Sequence, residues 1–358
     1  MHCFHNPVRT VAGLGALNAL PELLGQRRAV LLSFPEAQPL GLVDLVRQSL
    51  GDRLVEVIDT ITPNPDLAEL ELLYPQVWSL DAEVLVALGG GSVIDSAKAM
   101  LAGTPSGQFH EIRQFLRAGE RFEAPRYKAL IAVPTTAGTG SEVTPWATVW
   151  DRELQRKHSL QFERTWPEAA IVDPVLMRSL PEAVTVQSGL DALSHALEAI
   201  WNRHANPVSD ALAVAAARAI LATLPSLRRT PGNMALREAM AVAALQAGLA
   251  FSNTRTALAH SMSYPMTLRL GLPHGIACSF TLPLVARLAI GRDAARDAVL
   301  AEALGPLDEA PARLEAFLQG LGVKTQFADY GVGEAEAAAL LDEALLGDRG
   351  RNFIGAAA

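Results

Sequence analysis

Val84-Leu85-Val86-Ala87-Leu88 runs directly into Gly89-Gly90-Gly91-Ser92 and on into Val93-Ile94-Asp95-Ser96-Ala97-Lys98. The apolar run, bounded by charge on one side and glycine on the other, reads as a buried strand, and the stretch after the turn has helical spacing. A glycine-rich turn between strand and helix lets backbone N–H groups approach an anion, and the helix N-terminus adds partial positive charge. The pattern is not GxGxxG, so it does not by itself imply the standard dinucleotide fingerprint. Taken alone, it fits a tight structural turn equally well.

Similar apolar runs lie on either side. Ala29–Ser33, Leu54–Val57, Ala129–Val133 and Ala169–Val172 read as strands, with helix-like stretches at Leu40–Leu50, Leu67–Leu80 and Val93–Leu101 between them. Strand and helix in alternation predict a parallel sheet covered on both faces. A second anion-friendly turn follows the Ala129–Val133 strand. Pro134–Glu142 (PTTAGTGSE) packs four hydroxyls and two glycines into nine residues. Two such loops at successive strand ends, where open α/β sheets bind ligands, point to a nucleotide.

After Asp173-Pro174 the texture changes. Asp191–Asn202, Pro207–Leu224, Ala235–Phe251 and Pro311–Leu321 are alanine-rich with apolar residues three and four apart, which predicts helices and no further strand. The reading is an α/β nucleotide-binding domain over residues 1–175 and an all-α domain over 176–358, the boundary falling near Pro174–Pro181. The last nine residues, GRNFIGAAA, read as a frayed or loosely docked tail.

Composition narrows the class. The chain has 358 residues, half of them hydrophobic and 19% charged, enough for a large buried core. Its formal charge of −8 and the lack of a basic run argue against a nucleic-acid partner. The longest apolar stretch, Ala239 to Phe251, has 13 residues, short of a bilayer span. Only Cys3 and Cys278 are present, which suits a reducing cytoplasm, and MHCFHNPVRT does not read as a secretory signal.

A metal-ligand pattern lies in the second half. Asp191 and His195, four apart, share one helical face. His260 and His274 are fourteen residues apart; on one straight helix that would be about 21 Å. Gly271-Leu272-Pro273 breaks the pattern, so His274 can start a new element and turn back. A carboxylate with three imidazoles suits Fe²⁺ or Zn²⁺. Any one of these histidines alone would more often be a hydrogen-bonded core residue.

Taken together, GGGSVIDSAK (89–98), PTTAGTGSEVT (134–144), GLDALSHALE (189–198) and HSMSYPMTLRLGLPHG (260–275) resemble the iron-containing, group III alcohol dehydrogenases. The likeness covers nearly the whole chain in the right order. It implies a Rossmann-like α/β domain followed by a helical metal domain, the architecture shared with dehydroquinate synthases. By the same resemblance Asp191, His195, His260 and His274 match the metal ligands, for Fe²⁺ above Zn²⁺ or Mn²⁺. Gly90, Gly91, Ser92, Asp95, Thr135, Thr136, Thr139 and Ser141 match the loops that bind NAD(H) or NADP(H), with Lys157 beside them. SEVTPWATVWD, LDALSHALEAIWN, NPVSDALA and TRTALAHSMSYP are similar to the phosphonoacetaldehyde reductase branch.

The implied reaction interconverts an aldehyde and a primary alcohol, most specifically phosphonoacetaldehyde and 2-hydroxyethylphosphonate. A general alcohol or glycerol dehydrogenase and a dehydroquinate synthase-like lyase are the alternatives. Two departures from the family pattern stand out. Tyr264 replaces a histidine that many members carry four residues after the third ligand, and a phenol with an ordinary pKa near 10 is a poor proton relay. Water, the cofactor ribose or His158 are the other routes.

Arg255 stands where the family tends to carry glycine, and its guanidinium suits a phosphonate or carboxylate. Lys157 and Arg269 could add positive field, Trp146 could wall the substrate site, and Cys278 reads as a small buried apolar residue. After Ala29–Ser33 no acid stands where NAD-preferring members often carry an aspartate; Glu36 is the nearest, so NADPH use stays open. A homo-oligomer is expected.

Overall fold

The computed structural model describes residues 2–357. The α/β unit comprises Pro7–Thr136 and Ser141–Ser179. Its strands are β1 (Arg9–Ala12), β2 (Ala29–Leu32), β3 (Leu54–Ile58), β4 (Val84–Gly89), β5 (Ala129–Pro134), β6 (Ala147–Asp151), β7 (Arg156–Leu160) and β8 (Ala169–Val172). Its helices are α1 (Leu20–Leu24), α2 (Leu42–Leu50), α3 (Leu67–Ser79), α4 (Gly91–Ala99) and α5 (His110–Ala118). Among the described residues a six-stranded sheet has the order β1-β8-β5-β4-β2-β3, parallel throughout.

All five strands read from sequence are present, and all but β3, an edge strand that is mostly half-buried, are almost wholly buried. Every residue of β2 and β8 is buried, as are all six of β4. Successive side chains enter opposite layers, as the period of two requires. Val30, Leu32, Leu85, Ala87 and Ala132 pack with Leu70, Tyr74 and Ile94. Ala29, Leu31, Val84, Val86 and Ile131 pack with Leu20, Val43 and Val46. The edge strand β1 is only partly buried and flanked by polar residues, so no apolar run marks it. The β6–β7 pair is an antiparallel hairpin outside the main sheet, in which Trp150 faces Lys157 and Val149 faces His158.

The helical unit runs from Leu180 onward and includes Ala137–Gly140 and the N-terminal segment through Asn6. Its helices are α6 (Glu182–Ile200), α7 (Pro207–Arg229), α8 (Met234–Thr254), α9 (Leu258–Leu270), α10 (His274–Ser279), α11 (Leu282–Ala289), α12 (Ala294–Leu304), α13 (Ala310–Gly320) and α14 (Glu334–Leu346). α7 starts on a capping box, Asn206 accepting from the Ser209 N–H while Ser209 Oγ accepts from Asn206 N–H. α7 and α8 are long and apolar enough to cross a membrane by length and hydropathy, but each buries about half of its apolar window inside the protein. That is the pattern of core helices.

The C-terminal segment is docked rather than frayed, a correction to the sequence reading. Arg203 N–H donates to Asn352 O at 2.8 Å, Asn202 pairs with Phe353, and the Phe353 side chain is 1% exposed. A buried phenylalanine outweighs the small flexible residues around it.

Candidate metal centre and nucleotide loops

Backbone packing sets the metal cluster. Gly189 lets α6 approach α7, because a Cβ there would lie 2.8 Å from Leu224. Gly275 lets α10 press onto α6, because a Cβ there would stand 1.9 Å from Gln187 O. α9 stops at Gly271, whose φ of 66° suits glycine, and α10 begins at His274 directly after Pro273. His274 therefore turns back towards α6, as the helix break predicted.

The four expected donors meet. From Asp191 Oδ1, His260 Nε2 lies at 3.3 Å, and His195 Nε2 and His274 Nε2 each at 3.7 Å. Ligand bonds of about 2.1 Å place neighbouring tetrahedral donors about 3.4 Å apart, and each histidine's distance from Asp191 is close to that spacing. His260 Nε2 is buried without a hydrogen-bond partner, as a nitrogen reserved for a metal would be. The His195 ring stacks on His260 at 4.6 Å and on Phe251 at 4.0 Å, and its Nδ1 faces Gly138 O at 3.3 Å.

Two further residues belong to this cluster that the sequence reading did not assign. Glu198 is fully buried; its Oε2 stands 2.5 Å from His260 Nδ1 and its Oε1 accepts from His260 N–H at 3.1 Å. A carboxylate on the far nitrogen fixes which tautomer faces the metal. The signal was one turn along the same helix, at i+3 from His195. Cys278 is buried as expected, but it is not simply an apolar filler. Its Sγ lies 3.4 Å from Asp191 Oδ1, and Asp191, His260, His274 and Cys278 form a group of possible donors all within 4.8 Å of one another, which does not include His195.

Burial pushes the Asp191 carboxyl up, but His195, His260 and His274 together hold it well below the usual carboxylate range. Burial takes His195 down to about 4, so its ring is neutral and its lone pair available at physiological pH. Burial also lowers His260, but Glu198 and Asp191 outweigh it and the net direction is up. Tyr264, one turn after His260 on α9, is half-buried with its hydroxyl inside, and burial chiefly pushes that hydroxyl up to about 12. It keeps its proton at neutral pH, so it can donate a hydrogen bond but not relay.

Arg255 is exposed and caps α8 in the left-handed region at φ 65°, its carbonyl accepting from Asn202 Nδ2 at 3.2 Å. A non-glycine residue with that backbone is uncommon, which accounts for the glycine expected here. Arg269 is exposed in the last turn of α9. His158 sits in the hairpin with its Nε2 3.5 Å from Asp151 Oδ2.

In the α/β unit β4 and β5 are neighbours, which sets the Gly89–Ser92 turn beside Thr135 and Thr136. A Cβ on Gly90 would come within 3.3 Å of Thr136, and Thr135 N–H donates to Gly89 O at 3.0 Å. Gly90 caps α4 and Gly91 begins it. Ser92 Oγ accepts from Asn64 N–H at 3.1 Å. Asp95 and Ser141 hold one another: Ser141 Oγ donates to Asp95 Oδ1 at 2.5 Å, and Thr148 N–H donates to Oδ2 at 2.8 Å.

Lys98, quoted in the motif but given no role, is wholly buried. Its Nζ donates to Ser141 O at 2.6 Å, Ser141 Oγ at 3.0 Å and Trp146 O at 2.8 Å. The first turn's helix thus staples the segment that follows the second turn. Lys157 lies over the Trp150 ring at 5.4 Å. Thr139 belongs to the helical unit, with Ala137, Gly138 and Gly140, rather than to the α/β unit with Thr135, Thr136 and Ser141.

A parallel sheet ending in anion-friendly turns, with a helical unit that gathers an aspartate and three histidines, is the framework of a nucleotide- and metal-dependent enzyme. The pattern of iron-containing alcohol dehydrogenases matches residues 7–174, and that of the C-terminal part of the Fe-containing alcohol dehydrogenase family matches 185–353. The chain belongs to this family, whose members use NAD(H) and an iron ion, and it is an alcohol/aldehyde oxidoreductase.

Among curated relatives, 1,3-propanediol dehydrogenase of Klebsiella pneumoniae is 32% identical over 339 residues, covering 90% of this chain and 86% of that protein. Phosphonoacetaldehyde reductase of Streptomyces viridochromogenes is 39% identical over 210 residues, 58% of this chain and 53% of that protein. Among solved structures, sulfoacetaldehyde reductase from Bifidobacterium kashiwanohense in complex with NAD⁺ superposes with a TM-score of 0.89. It is 28% identical, over 99% of this chain and 94% of that one.

Proposed function

We propose that the protein reduces a short anionic aldehyde, phosphonoacetaldehyde, to its primary alcohol, 2-hydroxyethylphosphonate. Residues 1–175 bind the nucleotide and 176–358 form the metal domain. Two relatives support the substrate class, because phosphonoacetaldehyde and sulfoacetaldehyde each carry a strong anion next to the carbon that bears the aldehyde. The observation that carries the chemistry is the set of three imidazole nitrogens around Asp191 Oδ1 at 3.3 to 3.7 Å.

When bound, the iron supplies Lewis acidity towards a carbonyl oxygen and the reduced nicotinamide supplies hydride. Asp191 contributes the negative charge of the ligand set, and ring nitrogens of His195, His260 and His274 complete it. Glu198 holds the His260 proton on Nδ1, leaving Nε2 for the metal. Tyr264 stays protonated and donates a hydrogen bond, so the proton for the alkoxide comes from water or the cofactor ribose. Gly90, Gly91, Ser92, Thr135, Thr136 and Thr139 offer amides and hydroxyls to the cofactor phosphates and ribose. Asp95 and Ser141 shape those loops, and Lys157 and Trp146 flank them. The lack of an acid directly after β2 leaves NADPH usable beside NADH, with exposed Glu36 the nearest carboxylate that would oppose a 2′-phosphate.

The enzyme is read as a cytoplasmic homo-oligomer, with neither a membrane nor a nucleic-acid partner. The test is steady-state oxidation of NADH and NADPH with phosphonoacetaldehyde, propanal and 3-hydroxypropanal. Higher kcat/KM for the phosphonate supports the reading. Equal or better use of the neutral aldehydes refutes it in favour of a general alcohol or diol dehydrogenase, the reading that the broad likeness to 1,3-propanediol dehydrogenase favours.

A further inference from the structure

Arg349 lies on the turn after α14, remote in sequence from every motif above. Its Nη1 donates to Thr256 Oγ1 at 2.8 Å, and its guanidinium stands over the Tyr264 ring at 5.2 Å. Other inward-facing arginines of this chain are committed. Arg117 pairs with Asp151 and Glu153, Arg296 with Asp210, and Arg237 spends its donors on Pro231 O, Thr185 Oγ1 and Leu180 O. Arg349 is half-buried, and among the described residues no carboxylate lies within ion-pair distance of it. Its Nε and Nη2 donors make no hydrogen bond among those residues, leaving two edges of the fork unspent.

The position is built. Asn352 Nδ2 donates to Thr256 O at 2.8 Å, Arg203 N–H donates to Asn352 O at 2.8 Å, and Phe353 is buried beneath the same turn. The guanidinium is therefore held rather than free to wander on an open tail. Tyr264, whose ring it covers, sits one turn along α9 from His260. Thr256 follows Arg255, whose exposed side chain and left-handed backbone mark it as a cap.

We propose that Arg349 is the substrate-recognising cation of this enzyme, its unspent guanidinium edge taking phosphonate, sulfonate or carboxylate oxygens of an aldehyde whose carbonyl lies at the metal cluster. This rests on the anionic-aldehyde reading above and assigns its anion to a residue. A planar fork facing an oxyanion is the strongest pairing available to a side chain in a partly dry site.

The experiment compares wild type with Arg349→Gln, Arg349→Lys and Arg255→Gln. Two quantities are read: the ratio of kcat/KM for phosphonoacetaldehyde over propanal, and binding of the non-reacting ethylphosphonate by calorimetry. Removing a charge-assisted bond should lower the ratio and the ethylphosphonate affinity roughly 10- to 100-fold in R349Q. R349K, which keeps the charge but loses the fork, should fall between, and R255Q should stay near wild type. If R349Q does not fold, R349K carries the test, with an expected loss of several-fold.

Wild type that prefers the anion, with R349Q or R349K unchanged or R255Q carrying the loss, overturns the assignment to Arg349 alone. Wild type with no preference and no ethylphosphonate binding overturns the substrate reading and this inference with it.

Discussion

Replacing Glu198 by glutamine tests the metal centre without touching a proposed ligand. The native carboxylate makes two bonds to one residue, at 2.5 Å to His260 Nδ1 and at 3.1 Å to His260 N–H. Glutamine keeps the shape but has one acceptor oxygen. If that oxygen stays on Nδ1, the amide NH₂ meets the backbone N–H donor to donor. A buried N–H left without an acceptor costs about 1–3 kcal/mol. Losing the negative charge also makes His260 a weaker donor to the metal.

Partners of this kind are worth about 10- to 100-fold in metal affinity, or roughly 1.4–2.7 kcal/mol. The assay is anaerobic competition for Fe²⁺, repeated with redox-inert Zn²⁺, against a chromophoric chelator, with circular dichroism to show that the fold survives. A folded E198Q protein that binds either ion within about twofold of wild type would refute the argument that Glu198 sets the His260 tautomer. Glu198→Asp should fall between, because it keeps the charge and loses the reach.

Other outcomes follow from the same structure. Gly275→Ala must move α10 off α6, since the added Cβ would stand 1.9 Å from Gln187 O. It should lower Tm and weaken metal binding together, and a variant that loses neither would contradict the close packing. Arg255→Gly should raise stability by about 1 kcal/mol or more by relieving a positive-φ, extended backbone that glycine alone adopts freely, read from urea melts; a clear loss would show that the Arg255 side chain matters more than its φ of 65°.

Burial pushes Glu142 up to about 7, so the folded chain keeps a proton that the unfolded chain loses near its ordinary 4.5. Its contribution to stability is full below that lower value and fades as pH rises through about 7. Glu142→Gln should flatten that decline in Tm. Burial takes Lys98 down from 10.5 to about 8, the opposite sense. There stability climbs as pH rises across that range, and Lys98→Met should remove the climb; an unchanged slope would mean that the buried ammonium does not titrate there.

Much of this protein is legible in order along the chain. β2, β4, β5 and β8 announce themselves because a strand buried on both faces must be apolar at every position, and helices between them follow from period and length. Edge strand β1 sends no such signal, because one side of it meets water. The Asp191 and His195 pair is set by helical spacing alone, and the Gly271–Pro273 break shows that His274 can return.

What spacing along the chain does not contain is which side chains meet once helices pack. Glu198 lies in plain view one turn beyond His195, but its role depends on α9 laying His260 against it. Cys278 reads as apolar filler until α10 brings its sulfur to Asp191. Arg255 carries the more conspicuous motif, but folding leaves it exposed and brings Arg349, 93 positions beyond Thr256, onto that threonine's hydroxyl instead. Periodicity fixes local faces through the geometry of a single element, whereas a site assembled from α6, α9 and α10 depends on how separate surfaces fit, and that is decided only by tertiary packing.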